Sequence, residues 1–220
     1  MPTIAIVGAG RGLGAAVAHE FATHGYDVAL ISRTQGHVDA LAADVRTVGV
    51  DARGFAADAR DPHQLAAALD SAATQLGTIE VLQYSPVPQR DFMKPVLETT
   101  ADDLVAPVEQ SVYGPVTAVQ QVLPGMRSTG RGTIVLVNGG SAVRPGPNVA
   151  GTSVAFAAES AYGQLLHDAL APEGIHVGQL IIPRGIGAGE PSHEPAALAA
   201  RIWAMHRDRG EFRTFAAELD

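Results

Sequence analysis

Four glycines, Gly8, Gly10, Gly12 and Gly14, alternate through IVGAGRGLGAA, directly after the apolar run Thr3 to Val7 and before an Ala-rich stretch of helical spacing. A strand that hands over to a helix at such a turn points the helix's free N–H groups at whatever approaches it. Glycine leaves room for close approach. With Arg11 and Leu13 between the glycines, the turn reads as an anion site suited to the pyrophosphate of a dinucleotide. Which dinucleotide depends on the end of the next strand, where a carboxylate would hold an unphosphorylated adenosine ribose. The residues there are Ser32, Arg33 and Thr34. Arg33 and Arg11 would bring two guanidinium groups, suited to bidentate phosphate pairing, to the ribose 2′ position, so the expected cofactor is NADP(H). Asp58, between Ala57 and Ala59 at the end of a third β-rich run, is placed to meet the adenine edge; its plainer role is to cap the following helix.

Positioning such a turn requires a particular framework. Short β-rich runs alternate with longer Ala/Leu-rich segments, the pattern of βαβ units feeding a parallel sheet. We expect an α/β fold: one doubly wound, Rossmann-type domain over residues 1–220, with a mostly parallel sheet of about seven strands. The strands are expected at Thr3–Val7, Asp27–Ser32, Ala52–Ala57, Ile79–Gln83, Thr133–Val137 and Ile175–Ile182, with an edge strand near Phe212–Ala216. Asp61 and Pro62 read as an N-cap followed by proline at the first helical position, and Thr99 or Thr100 as a second cap, with Asp102 and Asp103 as first-turn charge. A long helical segment from there to Met126 contains Pro107 and Pro115, which predict a kink or break. Another long helix spans Val149–Leu170.

The spacing Gly8-x-x-x-Gly12-x-Gly14, Asp58 after the third strand, and LAPEGIHV leading into the sixth together resemble the short-chain dehydrogenase/reductase family, from Thr3 to about Ile186. The resemblance implies pyrophosphate at the glycine turn, ribose selection at the end of the second strand, and nicotinamide contact after the sixth, here Pro183, Arg184, Gly185 and Ile186. The family's Asn-Asn-Ala-Gly run after the fourth strand falls on Tyr84, Ser85, Pro86 and Val87, which places Ser85 and Pro86 beside the cofactor.

The family's chemistry uses a tyrosine phenol, whose unperturbed pKa of about 10 must be brought toward neutrality by a lysine four residues on. This chain lacks that pair: Leu30, Pro88, Thr117 and Leu166 stand four residues after Tyr26, Tyr84, Tyr113 and Tyr162, and the only lysine is Lys94. Counting from LAPEGI puts the family's tyrosine and lysine positions at Thr152 and Phe156. Counting from GTIVLVN puts its serine at Gly139, thirteen residues before Thr152, and its helical asparagine falls at Ser111. The whole proton-handling group is replaced. Hydroxyls and a cation remain to polarise a carbonyl: the candidates are Ser141, Asn138, Tyr84, Tyr113 and Arg184. Local hydrogen bonding competes as the role of Ser141 and Asn138, and core or interface packing as that of Tyr113.

Composition narrows the partners. Net charge is -8, with fifteen basic against twenty-three acidic residues, so no broad cationic surface exists for nucleic acid or an anionic membrane. Cysteine is absent, which removes thiolate metal sites and cysteine nucleophiles. The eight histidines show no metal-ligand spacing, so no metal is expected. No apolar stretch reaches membrane-spanning length, and no basic segment precedes the first strand; the expected location is cytoplasmic. Small and apolar residues on more than one face of the Val149–Leu170 helix predict a homo-oligomer, a dimer or tetramer, paired through it. The expected activity is NADP(H)-dependent reduction of a small carbonyl, enone or imine. The alternatives are a module that binds NADP(H) without turnover, and a cyclase or isomerase that reuses the pocket.

Overall fold

The computed structural model describes residues 1–187 and 189–219. Seven strands form one sheet: β1 (Thr3–Val7), β2 (Asp27–Ser32), β3 (Ala52–Ala56), β4 (Ile79–Tyr84), β5 (Gly132–Gly139), β6 (Ile175–Ile182) and β7 (Arg213–Phe215). Their order is β3-β2-β1-β4-β5-β6-β7, and every pairing is parallel. The order reverses direction between β1 and β4, which opens a crevice at the C-terminal ends of these strands.

The central strands are apolar along their length because both faces are covered. Ile4 and Ile6 turn to one face, packing with Val17 and Phe21 of α1 (Leu13–Thr23) and Val38 of α2 (Gln35–Val45). Ala5 and Val7 turn to the other, with Leu65 and Leu69 of α3 (Pro62–Leu76). The alternation follows from the period of two along a strand.

Asp61 caps α3 as the sequence predicts, accepting from the backbone N–H groups of His63 and Gln64, with Pro62 next. Thr100 caps α4 (Ala101–Val108) in a reciprocal box with Asp103, which also meets Lys94 Nζ at 2.5 Å. Between α4 and α5 (Gly114–Thr129) the expected break takes the form of a π-helical turn over Glu109–Tyr113. Pro115 has no amide hydrogen for the carbonyl four residues back, so the chain takes a wider turn there. The Arg60 guanidinium holds the outside of this turn through Glu109, at 2.9 Å.

Strand ends differ from expectation where they bear on the site. β4 runs on to Tyr84 and β5 to Gly139, so Tyr84, Asn138 and Gly139 are strand residues with ladder partners, Asn138 opposite Ile181 and Gly139 opposite Ile182. β3 stops at Ala56, leaving Ala57 in the following loop. α6 (Ala150–Leu170) and α7 (Pro195–Asp208) complete the layers.

Candidate functional site

The glycine turn is pinned from behind: the N–H groups of Gly8 and Ala9 donate to the Ile31 carbonyl at 2.9 and 3.0 Å, and that of Ser85 to Val7. Its glycines serve two purposes. Gly8 has φ +88°, and a Cβ there would lie 2.6 Å from Pro86 N; one at Gly14 would lie 2.9 Å from Ala9 Cα. Those two are required by the fold. A Cβ at Gly10 or Gly12 would meet nothing within 4 Å. It would project into the crevice, where glycine matters only to something that enters.

Two adjoining cavities occupy the crevice. The smaller, about 170 Å³, lies over the ends of β1, β2 and β3, lined by Ser32, Arg33, Ala57, Asp58, Ala59 and Pro86 among others. Arg33 is exposed and pairs with no carboxylate among the described residues. Asp58 accepts from the Arg60 N–H at 3.0 Å, while the helix cap itself is Asp61. Arg11 and Thr34 are exposed and line neither cavity.

The larger cavity, about 810 Å³, runs from Gly8, Gly10, Gly12, Leu13 and Gly14, past Ser85 and Pro86, to the ends of β5 and β6. Pro183, Arg184, Gly185 and Ile186 form one wall; Asn138, Gly139, Gly140 and Ser141 form another. Thr152 and Phe156, where counting along the sequence put the family's tyrosine and lysine, face this space. Thr152 Oγ1 donates to the Val149 carbonyl at 3.1 Å, and Phe156 offers only a ring.

The five candidate polar groups separate. Ser141 lines the cavity, and its hydroxyl has no intramolecular partner among the described residues. Arg184 lines it too, with Nε 3.0 Å from Glu190. Tyr84 is turned away: it is 1% exposed, lines neither cavity, and donates to the Gln110 carbonyl at 2.5 Å in the wall of the π turn. Burial, with the nearby Glu159 and Asp58 charges, raises its phenol well above the usual range, so it stays protonated. Tyr113 is 55% exposed and also outside both cavities. Neither tyrosine is positioned to protonate a bound molecule there.

Asn138 lines the cavity but is held from behind. Its Nδ2 donates to Glu159 Oε2 at 2.9 Å, and its Oδ1 accepts from Gln179 Nε2 at 2.8 Å. Gln179 Oε1 in turn accepts from Ser160 and from Arg213 Nε, both at 2.9 Å. Glu159 is 2% exposed; burial pushes its carboxyl up to about 8, against the pull of the Asn138 amide and the nearby Ser111 hydroxyl, and Oε1 lacks a partner of hydrogen-bond geometry. No sequence motif marks this relay of side chains. One signal was available: Glu159 falls at the helical spacing of Thr152 and Phe156, so it had to share their buried face.

The short chain dehydrogenase family model matches residues 2–188. The chain belongs to that family. Among curated relatives of this short chain dehydrogenase is "Inactive hydroxysteroid dehydrogenase-like protein 1" of Mus musculus, 32% identical over 213 residues, which cover 91% of this chain and 63% of that protein. The rat protein of the same name is 31% identical over 80% of this chain, which spans 53% of its length. Among solved structures, a short-chain dehydrogenase from Rhodopseudomonas palustris superposes with TM-score 0.86 at 25% identity, covering 99% of this chain and 98% of that one. A metagenomic short-chain oxidoreductase in complex with NADP gives 0.85 at 18%, covering 97% and 96%. The chain has no Tyr-x-x-x-Lys spacing anywhere in its sequence.

Proposed function

We propose that this short chain dehydrogenase is an NADP(H)-dependent oxidoreductase that reduces a small carbonyl, enone or imine, with its proton supplied from outside the usual tyrosine. Gly10 and Gly12 carry this proposal: their missing side chains leave the larger, mostly apolar cavity open, and Arg33, with no carboxylate partner among the described residues, lines the adjoining one. These residues fit a dinucleotide: the amides of the glycine turn would hold its pyrophosphate, Arg33 would meet a ribose 2′-phosphate, and Asp58 would meet the adenine edge. Arg11, outside the cavity walls, is free to swing toward the same phosphate. The related fold crystallised with NADP agrees with this choice.

When bound, NADPH supplies a hydride to the substrate's electrophilic carbon. This chain's part is to orient the substrate and stabilise the charge that develops on its oxygen or nitrogen. Ser141, with no partner among the described residues, would donate a hydrogen bond to that atom, and a water would supply the proton that completes the reduction, leaving as hydroxide. Exposed Val154 and Leu165 on α6 support our expectation that a second copy packs there, which sizing in solution tests.

The replacement of tyrosine and lysine by Thr152 and Phe156 favours a second reading, an NADP(H)-binding module without turnover. Titration with NADPH and NADH, followed by nucleotide oxidation across ketones, quinones, enones and imines, separates the two. Oxidation that falls in Ser141→Ala supports the enzyme; tight binding with no oxidation supports the module. Arg33→Ala is expected to weaken NADPH by about tenfold or more and leave NADH little changed. Equal weakening removes the case for the 2′-phosphate.

A further inference from the structure

In a chain of net charge -8, the larger cavity is lined, among the described residues, by no Asp, Glu, His or Lys; the charged described residues in its wall are Arg144 and Arg184. Arg184 is engaged by Glu190. Arg144 has no carboxylate within ion-pair distance and no side-chain hydrogen bond among the described residues. The residue is exposed, and its backbone is held in place. Its N–H donates to the Gly140 carbonyl at 2.9 Å, prolines follow at 145 and 147, and the Gly146 N–H donates to Ser153 Oγ at 3.1 Å on the first turn of α6. An unpaired guanidinium on a stiff, tethered loop is a cation waiting for an anion.

The glycine turn, where dinucleotide phosphates would lie, is set apart from this loop. The glycine turn follows β1 and the Arg144 loop follows β5, two strand spacings away across β4, which is about 10 Å. The cavity's lining also includes Val87, Met93, Val137, Val149 and Phe156, with Val149 packed against Gly146 of the Arg144 loop. An apolar chamber with one cation at its wall not engaged by a carboxylate selects molecules that are apolar in body and negative at one end.

We infer that the substrate carries an anionic group, a carboxylate or sulfonate, on an apolar body, and that Arg144 pairs with it while the apolar wall takes the rest. This rests on the reading of the glycine turn as the dinucleotide site, since that assigns the far end of the cavity to substrate. It predicts discrimination by charge: a neutral analogue of the same shape fills the wall but gains nothing from Arg144.

The test uses the full chain and two fluorescent probes of one skeleton, anionic anilinonaphthalene sulfonate and neutral phenylnaphthylamine, titrated with and without saturating NADP⁺. Arg144→Ala is expected to weaken the anionic probe by about tenfold, Arg144→Lys to restore most of that, and the neutral probe to change by less than about twofold in both. Dodecanoate should displace the anionic probe from wild type but not dodecanol; displacement confined to alkyl sulfonates narrows the anion to that class. Equal weakening of both probes in Arg144→Ala, no weakening of either, or no saturable binding of the anionic probe overturns the inference. NADPH affinity, measured in the same variants, should stay at the wild-type value. A chain that binds no NADPH yet keeps the Arg144-dependent charge preference refutes the proposed function and not the anion site.

Discussion

Asn138 on the cavity wall donates to Glu159, a carboxyl sealed behind it, over 2.9 Å. A hydrogen bond from a neutral amide does not offset the cost of burying a charge, so Glu159 holds its proton up to about pH 8. The consequence is measurable in stability. In the unfolded chain the group ionises near 4.5; in the folded chain it does not until about 8. Between those values the unfolded state binds fewer protons, so stability falls as pH rises through the window, by up to about 1.4 kcal/mol per unit. Thermal melts from pH 5 to 8.5 should show that decline in wild type and a flatter line in Glu159→Gln. Parallel lines would place the carboxylate in the folded state as an ion.

His176 has the opposite sign. Burial, reinforced by the charges of His167, Arg209 and His206, lowers its pKa from 6.5 to about 4, and Nε2 is buried without a partner. On acidification below 6.5 the unfolded state takes up a proton that the folded state refuses, so stability is lost as pH falls toward 4. His176→Leu should make the acid limb shallower while leaving the limb above pH 7 as it was. An unchanged acid limb would mean that other groups control it.

Gly10 and Gly8 make a discriminating pair. Gly10→Ala adds a methyl group in open space, so folding stability should hold to within about 0.5 kcal/mol while NADPH affinity falls by about tenfold. Gly8→Ala strains a positive φ and meets Pro86, so it should cost about 1–3 kcal/mol before any ligand is added. Melts and NADPH titration of both variants decide it; unaltered NADPH binding in Gly10→Ala would remove the reason given for that glycine.

Tyr84→Phe separates structure from chemistry. The lost hydroxyl leaves the Gln110 carbonyl buried without its donor, at a cost of about 1–3 kcal/mol, while any NADPH oxidation should proceed at the wild-type rate. A rate loss beyond the loss of folded protein would return Tyr84 to the list of proton donors. Gly114→Ala, whose Cβ would crowd the same hydroxyl and the Ala59 carbonyl, should be still less stable.

Much of this was legible in the residues. The alternation of apolar runs with helical segments, the Asp61-Pro62 cap and the break near Pro107 and Pro115 are local signals, and local chemistry decided them. The crevice walls followed from the glycine turn and from the residues after β4 and β6. Less legible was anything set by which way a side chain turns. Tyr84 and Asn138 both end strands on the crevice side, yet the hydroxyl of Tyr84 goes under the π turn, whereas Asn138 keeps a face on the cavity. Glu159 was hidden because a carboxylate on an Ala-rich helix ordinarily reads as surface charge. Arg144, in a Pro/Gly-rich loop with no motif around it, becomes informative only beside the acids that its cavity lacks.

The hydrogen bonds behind Asn138 continue outward through Gln179 to Arg213, which sits on β7 at the rim of the sheet and also donates to Ser160 at 2.7 Å. A short terminal strand therefore acts as a tether for the floor of the crevice. Trimming the chain ahead of Arg213 would remove one of the two donors to Gln179, leaving Ser160 as the other, and so loosen one of the two bonds that fix the aim of the Asn138 amide, with no cut made anywhere near the crevice itself.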